Sequence, residues 1–361
     1  MFMKIRFLLI ISLCILVPFV SFCSAQQPQI KWSIDNTKAL KVFWINEDLI
    51  GILTVDKFLV VNIGGKIVWE LNENQSWNIT QMHTGLKLLL PDGTLKVFTP
   101  NDGSLALEKK FTGQNLRYEE SVDGAFAVTS QKDNSSELKV FSKSGELLWQ
   151  ILTKPFNLYS VLPKGKAVIG ITYNKTNQTA EIKIINSKEQ KLIKSIKDVN
   201  FFSGESGLDS VYNSFNKYTL LAVSTTPWWG IISNSGDILL EKNQMPILRT
   251  DLFDYCGLNF VFASSVQGGK VSLISDKGKS VWTSKNFDRP INSISGNDSY
   301  FAVSIGNSGY PGKVLLYTKE GKLVGSIDVP YSLSGIQISK SKPLVVGISQ
   351  YIGIKLFDFT K

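Results

Sequence analysis

Apolar residues in this chain come in short runs, some alternating and some continuous, and each run is closed by a polar turn rich in Gly. The stretch Val140 to Trp149, V-F-S-K-S-G-E-L-L-W, shows the unit: an apolar strand, a Ser-Gly turn and a second apolar strand ending on a large side chain. Such runs read as strands of a buried sheet, and the turn needs the positive φ that Gly adopts freely. Gly145 precedes Trp149 by four residues. The same spacing relates Gly65 to Trp69, Gly278 to Trp282, Gly321 to Gly325, Gly236 to Leu240 and Gly103 to Leu107. In the copy at Ile184 to Ile193, Gln190 stands where the Gly would be.

Positions 65, 103, 145, 190, 236, 278 and 321 are separated by 38, 42, 45, 46, 42 and 43 residues. A period of 40–45 with several strands per repeat predicts the blades of a β-propeller. The C-terminal stretch Leu344 to Phe359 reads as two strands lacking a final partner, and Ile30-Lys31-Trp32 reads as that partner with nothing before it. The expected fold is therefore all-β, an eight-bladed propeller of four-stranded antiparallel blades with the N-terminal strand closing the last blade. The lengths agree: the 336 residues after a 25-residue leader divide into eight units of 42. No stretch of useful length has a helical period with caps, and no linker divides residues 26–361, so one domain is expected there.

Residues 1–25 read as a secretory signal peptide. Lys4 and Arg6 precede the apolar run Phe7 to Phe22, and Ala25 places cleavage before Gln26. Pro18 and the shortness of the run argue against a retained anchor, and the bulky Phe22 argues against lipid attachment at Cys23. The expected location is secreted or periplasmic. Cys14 and Cys23 leave with the leader, so the mature chain keeps Cys256 alone, a strand residue without an internal disulfide partner. The formal charge of +9 becomes +7 on cleavage. Its lysines are dispersed over turns and strand ends, which favours a solvated basic surface and a loose attraction to an anionic envelope surface over nucleic-acid binding.

In a propeller, the loops between second and third strands and the blade-to-blade connections share one face, where a rigid scaffold positions function. Two such stretches stand out. Thr225-Thr226-Pro227-Trp228-Trp229 carries adjacent indoles that alternation must send to opposite sides of a strand, leaving one exposed or at a blade interface. Gly306 to Gly312 carries Tyr310. Trp228, Trp229 and Tyr310 are the candidate partner-binding residues. Of four arginines, Arg117, Arg249 and Arg289 lie outside the leader, each expected just before the first strand of a blade. They are candidates for holding an anionic ligand at the channel mouth, with Asp251, Asp254 and Asp288 as possible neutralising partners. His83 is the sole histidine and sits in a turn, no nucleophile elbow accompanies it, and phosphate loops are absent. No catalytic or metal-binding residue is named, and no cofactor is expected. Gly65, Trp69, Gly145, Trp149, Gly236, Gly278, Trp282 and Gly321 are assigned to the repeat itself.

V-F-S-K-S-G-E-L-L-W and L-I-S-D-K-G-K-S-V-W resemble the repeats of pyrroloquinoline-quinone-like propellers, over roughly residues 30–361. That family includes quinoprotein dehydrogenases and the non-enzymatic propeller subunit of the outer-membrane β-barrel assembly machinery. The dehydrogenase docking motif runs Ala-x-Asp-x-x-Thr-Gly-x-x-x-Trp. Here Ser144-Gly145 and Lys277-Gly278 keep the Gly and Trp without the Thr-Gly pair or the preceding Ala-x-Asp, and no vicinal Cys-Cys occurs. The resemblance is therefore closer to the non-enzymatic subunit. It implies a non-enzymatic interaction scaffold; with the leader, the expectation is an exported propeller, monomeric as a propeller, that serves envelope or extracellular proteins, and the alternative is a propeller enzyme or small-ligand binder working at the channel mouth.

Overall fold

The computed structural model describes residues 28–360 apart from 36–37, 72–85, 91, 133, 175, 178, 198–207, 214–217, 224–227 and 248–251. The leader, His83, Arg249 and Asp251 lie outside the described residues. Eight antiparallel sheets follow one another along the chain as the blades of a propeller. Blades 1 to 7 occupy residues 39–71, 86–110, 114–153, 157–196, 208–242, 252–283 and 291–329. Blade 8 takes Gly335–Ile338, Leu344–Ser349 and Gly353–Asp358, and then the N-terminal strand Gln29–Ile34. Seven sheets have four strands, and blade 2 has three among the described residues.

Ring closure is as the sequence reading expects. Gln29 pairs with Asp358 and Ile34 with Ile354, so the two chain ends share one ladder. The pairing removes an edge that would otherwise stand open at the join.

The repeated Gly has two jobs. It supplies the left-handed turn, with φ of +83° at Gly65, +86° at Gly145, +87° at Gly236 and +83° at Gly321. It also receives a large side chain from the preceding blade. A Cβ on Gly65 would lie 2.9 Å from the Trp32 ring, and one on Gly103 would lie 2.7 Å from the Trp69 ring. Leu107 meets Gly145, Leu240 meets Gly278 and Trp282 meets Gly321 in the same way. The indoles add a hydrogen bond to their anchor: Trp32 Nε1 donates to Ile63 O at 3.0 Å and Trp69 Nε1 to Pro100 O at 2.8 Å. Blade 4 lacks the turn Gly, and Trp149 Nε1 donates instead to Gly165 O, at 2.6 Å, in that blade's first turn. The core is accordingly a set of clusters between blades, such as Leu138, Val140, Trp149 and Ile151 of blade 3 against Leu158, Val168 and Ile185 of blade 4.

Strand limits differ from the sequence reading in blade 3. Its first strand runs Gln114–Glu120, because pairing with Phe126–Lys132 continues past a bulge to Gln114 opposite Gln131. Arg117 therefore lies inside the first strand, not ahead of it.

Candidate functional site

The face bearing second-to-third-strand loops and blade connections carries a braced platform at blades 7 and 8. Its centre is the loop 307–311. Tyr310 N–H donates to Asn307 O at 3.0 Å, closing a turn, and Gly306 N–H donates to Pro290 O at 3.0 Å in the connection from blade 6. Ser332, in the connection to blade 8, donates from N–H to Tyr310 O at 2.8 Å and from Oγ to Asn307 O at 2.7 Å. Arg289 Nη1 donates to Pro311 O at 2.6 Å. The segments approach closely because Gly306 and Gly312 lack side chains: a Cβ at either would lie 2.7 Å from Ser332.

Three tyrosines crown this platform. Tyr310 is 66% exposed, Tyr351 48% and Tyr331 38%. Tyr331 and Tyr351 stack with ring centroids 5.1 Å apart and planes inclined by 27°. Gly309 lies against the Tyr351 ring, which joins the two loops. Large, stiff, amphipathic rings on a backbone that is already ordered lose little entropy on contact with a partner, and tyrosine is a favoured anchor at interfaces for this reason.

The structure thus brings together two residues that the sequence reading had placed in different sites. Tyr310 is exposed as expected, and Arg289 braces its loop. Trp228 and Trp229 are corrected: both are buried, at 3% and 2% exposure. Alternation does send them to opposite sides of blade 5, but both sides of a blade face a neighbour. Trp228 packs into the cluster shared with blade 4, its Nε1 donating to Glu241 Oε1 at 2.8 Å. Trp229 packs against Phe262 of blade 6, its Nε1 donating to Gln244 O at 2.9 Å. Neither indole is open to solvent. Tyr331 and Tyr351 were not singled out by sequence; their signal is an aromatic residue within a turn rather than a strand, in V-P-Y-S and Q-Y-I-G.

Elsewhere the inner strands carry charge. Arg117 is exposed on the first strand of blade 3, two residues before Glu119. Burial pushes the Glu119 carboxyl up to about 8, against the pull of Lys41 and Arg117. Lys41, on the first strand of blade 1, is pushed down by burial, with Glu119 opposing. On the first strand of blade 6, burial raises Asp254 to about 7, although its oxygens accept from the N–H groups of Tyr255 and Gly296, both at 2.8 Å. This carboxyl therefore ties blade 6 to blade 7 rather than neutralising an arginine. Cys256 is buried and its thiol is pushed well up, chiefly by burial and then by Asp254. Among the described residues, no three of His, Cys, Asp and Glu gather in a way that could hold a metal ion.

These features define a β-propeller with a braced cluster of exposed tyrosines on its loop face. No protein-family model matches the sequence and no curated protein does so. Solved structures match at the level of fold. The chain is similar to the computationally designed Ika8 protein at 10% identity and TM-score 0.64, covering 91% of this chain and 99% of that one. It is similar to the C-terminal WD40 domain of Sif2 at 12% identity and TM-score 0.64, covering 93% and 99%. It is also similar to BamB from Moraxella catarrhalis, a PQQ-like propeller, at 11% identity and TM-score 0.56, covering 92% and 99%.

Proposed function

We propose that this protein is an exported, non-enzymatic scaffold of the cell envelope that captures a protein partner through the tyrosine platform of blades 7 and 8. The observation that carries the reading is that hydrogen bonds from the connections on either side of blade 7 brace the loop of Tyr310, while Tyr351 is held by its stack on Tyr331 and its contact with Gly309. Exposed rings are common on surfaces; rings held in place by a rigid support are what a recognition surface needs. Export rests on the leader, and the non-enzymatic role on the resemblance to the propeller subunit of the assembly machinery, to which the likeness in fold to BamB lends support.

The test is cross-linked capture from the native envelope with the wild-type chain and with Tyr310→Ala/Tyr331→Ala/Tyr351→Ala as baits. Loss of two or more anchors weakens an interface by at least about tenfold, so the expected result is one or two proteins recovered by the wild type and lost from the triple variant. Leu258→Ala, on the opposite face, serves as control and leaves capture intact. Equal recovery by the triple variant, with an unchanged thermal transition, overturns the assignment.

A further inference from the structure

Each blade ends in an outer strand whose far edge has no neighbour within its sheet, and such edges invite pairing with another chain unless something blunts them. Seven of the eight are blunted. Charge does this at Glu70 in blade 1, Glu108 to Lys110 in blade 2, Lys191 and Lys194 in blade 4, Glu241 and Lys242 in blade 5, Asp328 in blade 7 and Lys31 in blade 8. In blade 6 the strand Ser280–Thr283 is four residues long, and a bulge at Val281 leaves only its last two in regular pairing.

The outer strand of blade 3 is neither charged nor short, and its one bulge lies at its start. Leu147–Thr153 reads L-L-W-Q-I-L-T, seven residues with neither charge nor proline. Its bulge falls at Leu148, and from Trp149 to Thr153 the ladder is regular. Leu147, Leu148 and Leu152 are 50%, 45% and 68% exposed. Trp149 and Ile151 turn toward the cluster shared with blade 4. Gln150 and Leu152, opposite Lys139 and Glu137, take the other face, where those two charges already pair at 2.9 Å.

We propose that this strand pairs with the same strand of a second copy of the chain, joining two blades into one eight-stranded antiparallel sheet. The regular stretch is symmetric about Ile151. A two-fold axis there sets Ile151 against its copy, Gln150 against Leu152 and Trp149 against Thr153, so every side chain keeps its face of the sheet. A chain that keeps a formal charge of +7 after loss of Lys4 and Arg6 repels its copy, and pairing at Lys31 or at Lys191 and Lys194 would bring like charges together. The uncharged edge avoids this, and it offers an oppositely charged partner nothing to select. A monomer is what a propeller leads one to expect, but ring closure removes only the edge at the join and not those at the circumference. Blades 3 and 7 are four apart in a ring of eight, so this dimer holds its two tyrosine platforms at opposite ends, both open. The dimer does not depend on what those platforms bind.

Sedimentation velocity on the purified chain across micromolar concentrations tests the proposal. The wild type is expected to sediment at twice the monomer mass. Leu152→Lys changes a side chain that is already mostly exposed; it is expected to weaken self-association by at least about tenfold with an unchanged circular dichroism spectrum. Leu239→Lys, on the charged outer strand of blade 5, is expected to remain dimeric. A wild-type monomer overturns the proposal, as does a Leu152→Lys dimer of undiminished affinity. Pairing of this edge only with a strand of a different envelope protein, with the wild-type chain itself monomeric, also overturns it.

Discussion

A Cβ added at Gly321 would overlap the indole of Trp282, and the residue also sits at φ +83°. Gly268 has a similar φ, +75°, but nothing lies within 4 Å of where its Cβ would be. The two positions separate the two reasons a turn needs glycine. Gly268→Ala should cost about 1 kcal/mol, the backbone term alone. Gly321→Ala adds the displacement of a packed indole and should cost about 2–4 kcal/mol. Urea denaturation of both variants checks this; equal shifts in midpoint would mean that the Trp-on-Gly contact contributes nothing. The spacing of Gly and Trp was legible in the sequence. The contact was not, because it joins a Trp to the Gly of the next blade and not to the Gly four residues before it.

Between elements, blades 2 and 3 are joined by a buried ion pair. Lys87 Nζ lies 2.7 Å from Glu120 Oε1 and donates to Gly124 O at 3.0 Å, and both side chains are closed to solvent. Burial pushes the Lys87 ammonium down, and Glu120 opposes that. Two charges taken out of water stabilise little together, but removing one strands the other. Lys87→Met should therefore lower stability by about 3–5 kcal/mol, and adding Glu120→Leu should recover most of it. A double-mutant cycle by thermal denaturation measures the coupling, and strict additivity would contradict the account. Nothing in the sequence marks this pair, since Lys87 and Glu120 stand 33 residues apart among many dispersed lysines. The same limit applies to Trp228 and Trp229: alternation gives their directions, while only the stacking of blades on both sides makes each direction a buried one.

For the whole ring, the inner-strand carboxyls set a pH dependence. Asp254 titrates at about 7 in the fold against an ordinary 3.8, and Glu119 at about 8 against 4.5. The folded state thus binds more protons than the unfolded chain between those values, so stability falls as pH rises through that window and levels off above about 8. Asp92, Asp102 and Glu241 are shifted downward, and their opposite slope lies on the acid side of their ordinary values. Urea midpoints should be higher at pH 5 than at pH 8, and Asp254→Asn should flatten the difference. A midpoint that rises with pH over this range would contradict the assignment.

The sequence by itself determined the eight-bladed count, the N-terminal closure and the Gly turns, because these follow from period and local backbone preference, which each segment carries within itself. It also exposed Tyr310, through a loop too long and too rich in Gly to be a strand. Only the tertiary structure decided which residues share a surface. Tyr310, Tyr331, Tyr351 and Arg289 come from four segments, three joined by hydrogen bonds and the fourth by the stack of Tyr351 on Tyr331, and Leu147–Thr153 is an open edge because of its place at the circumference. Adjacency across blades depends on how sheets stack, and no local pattern encodes it.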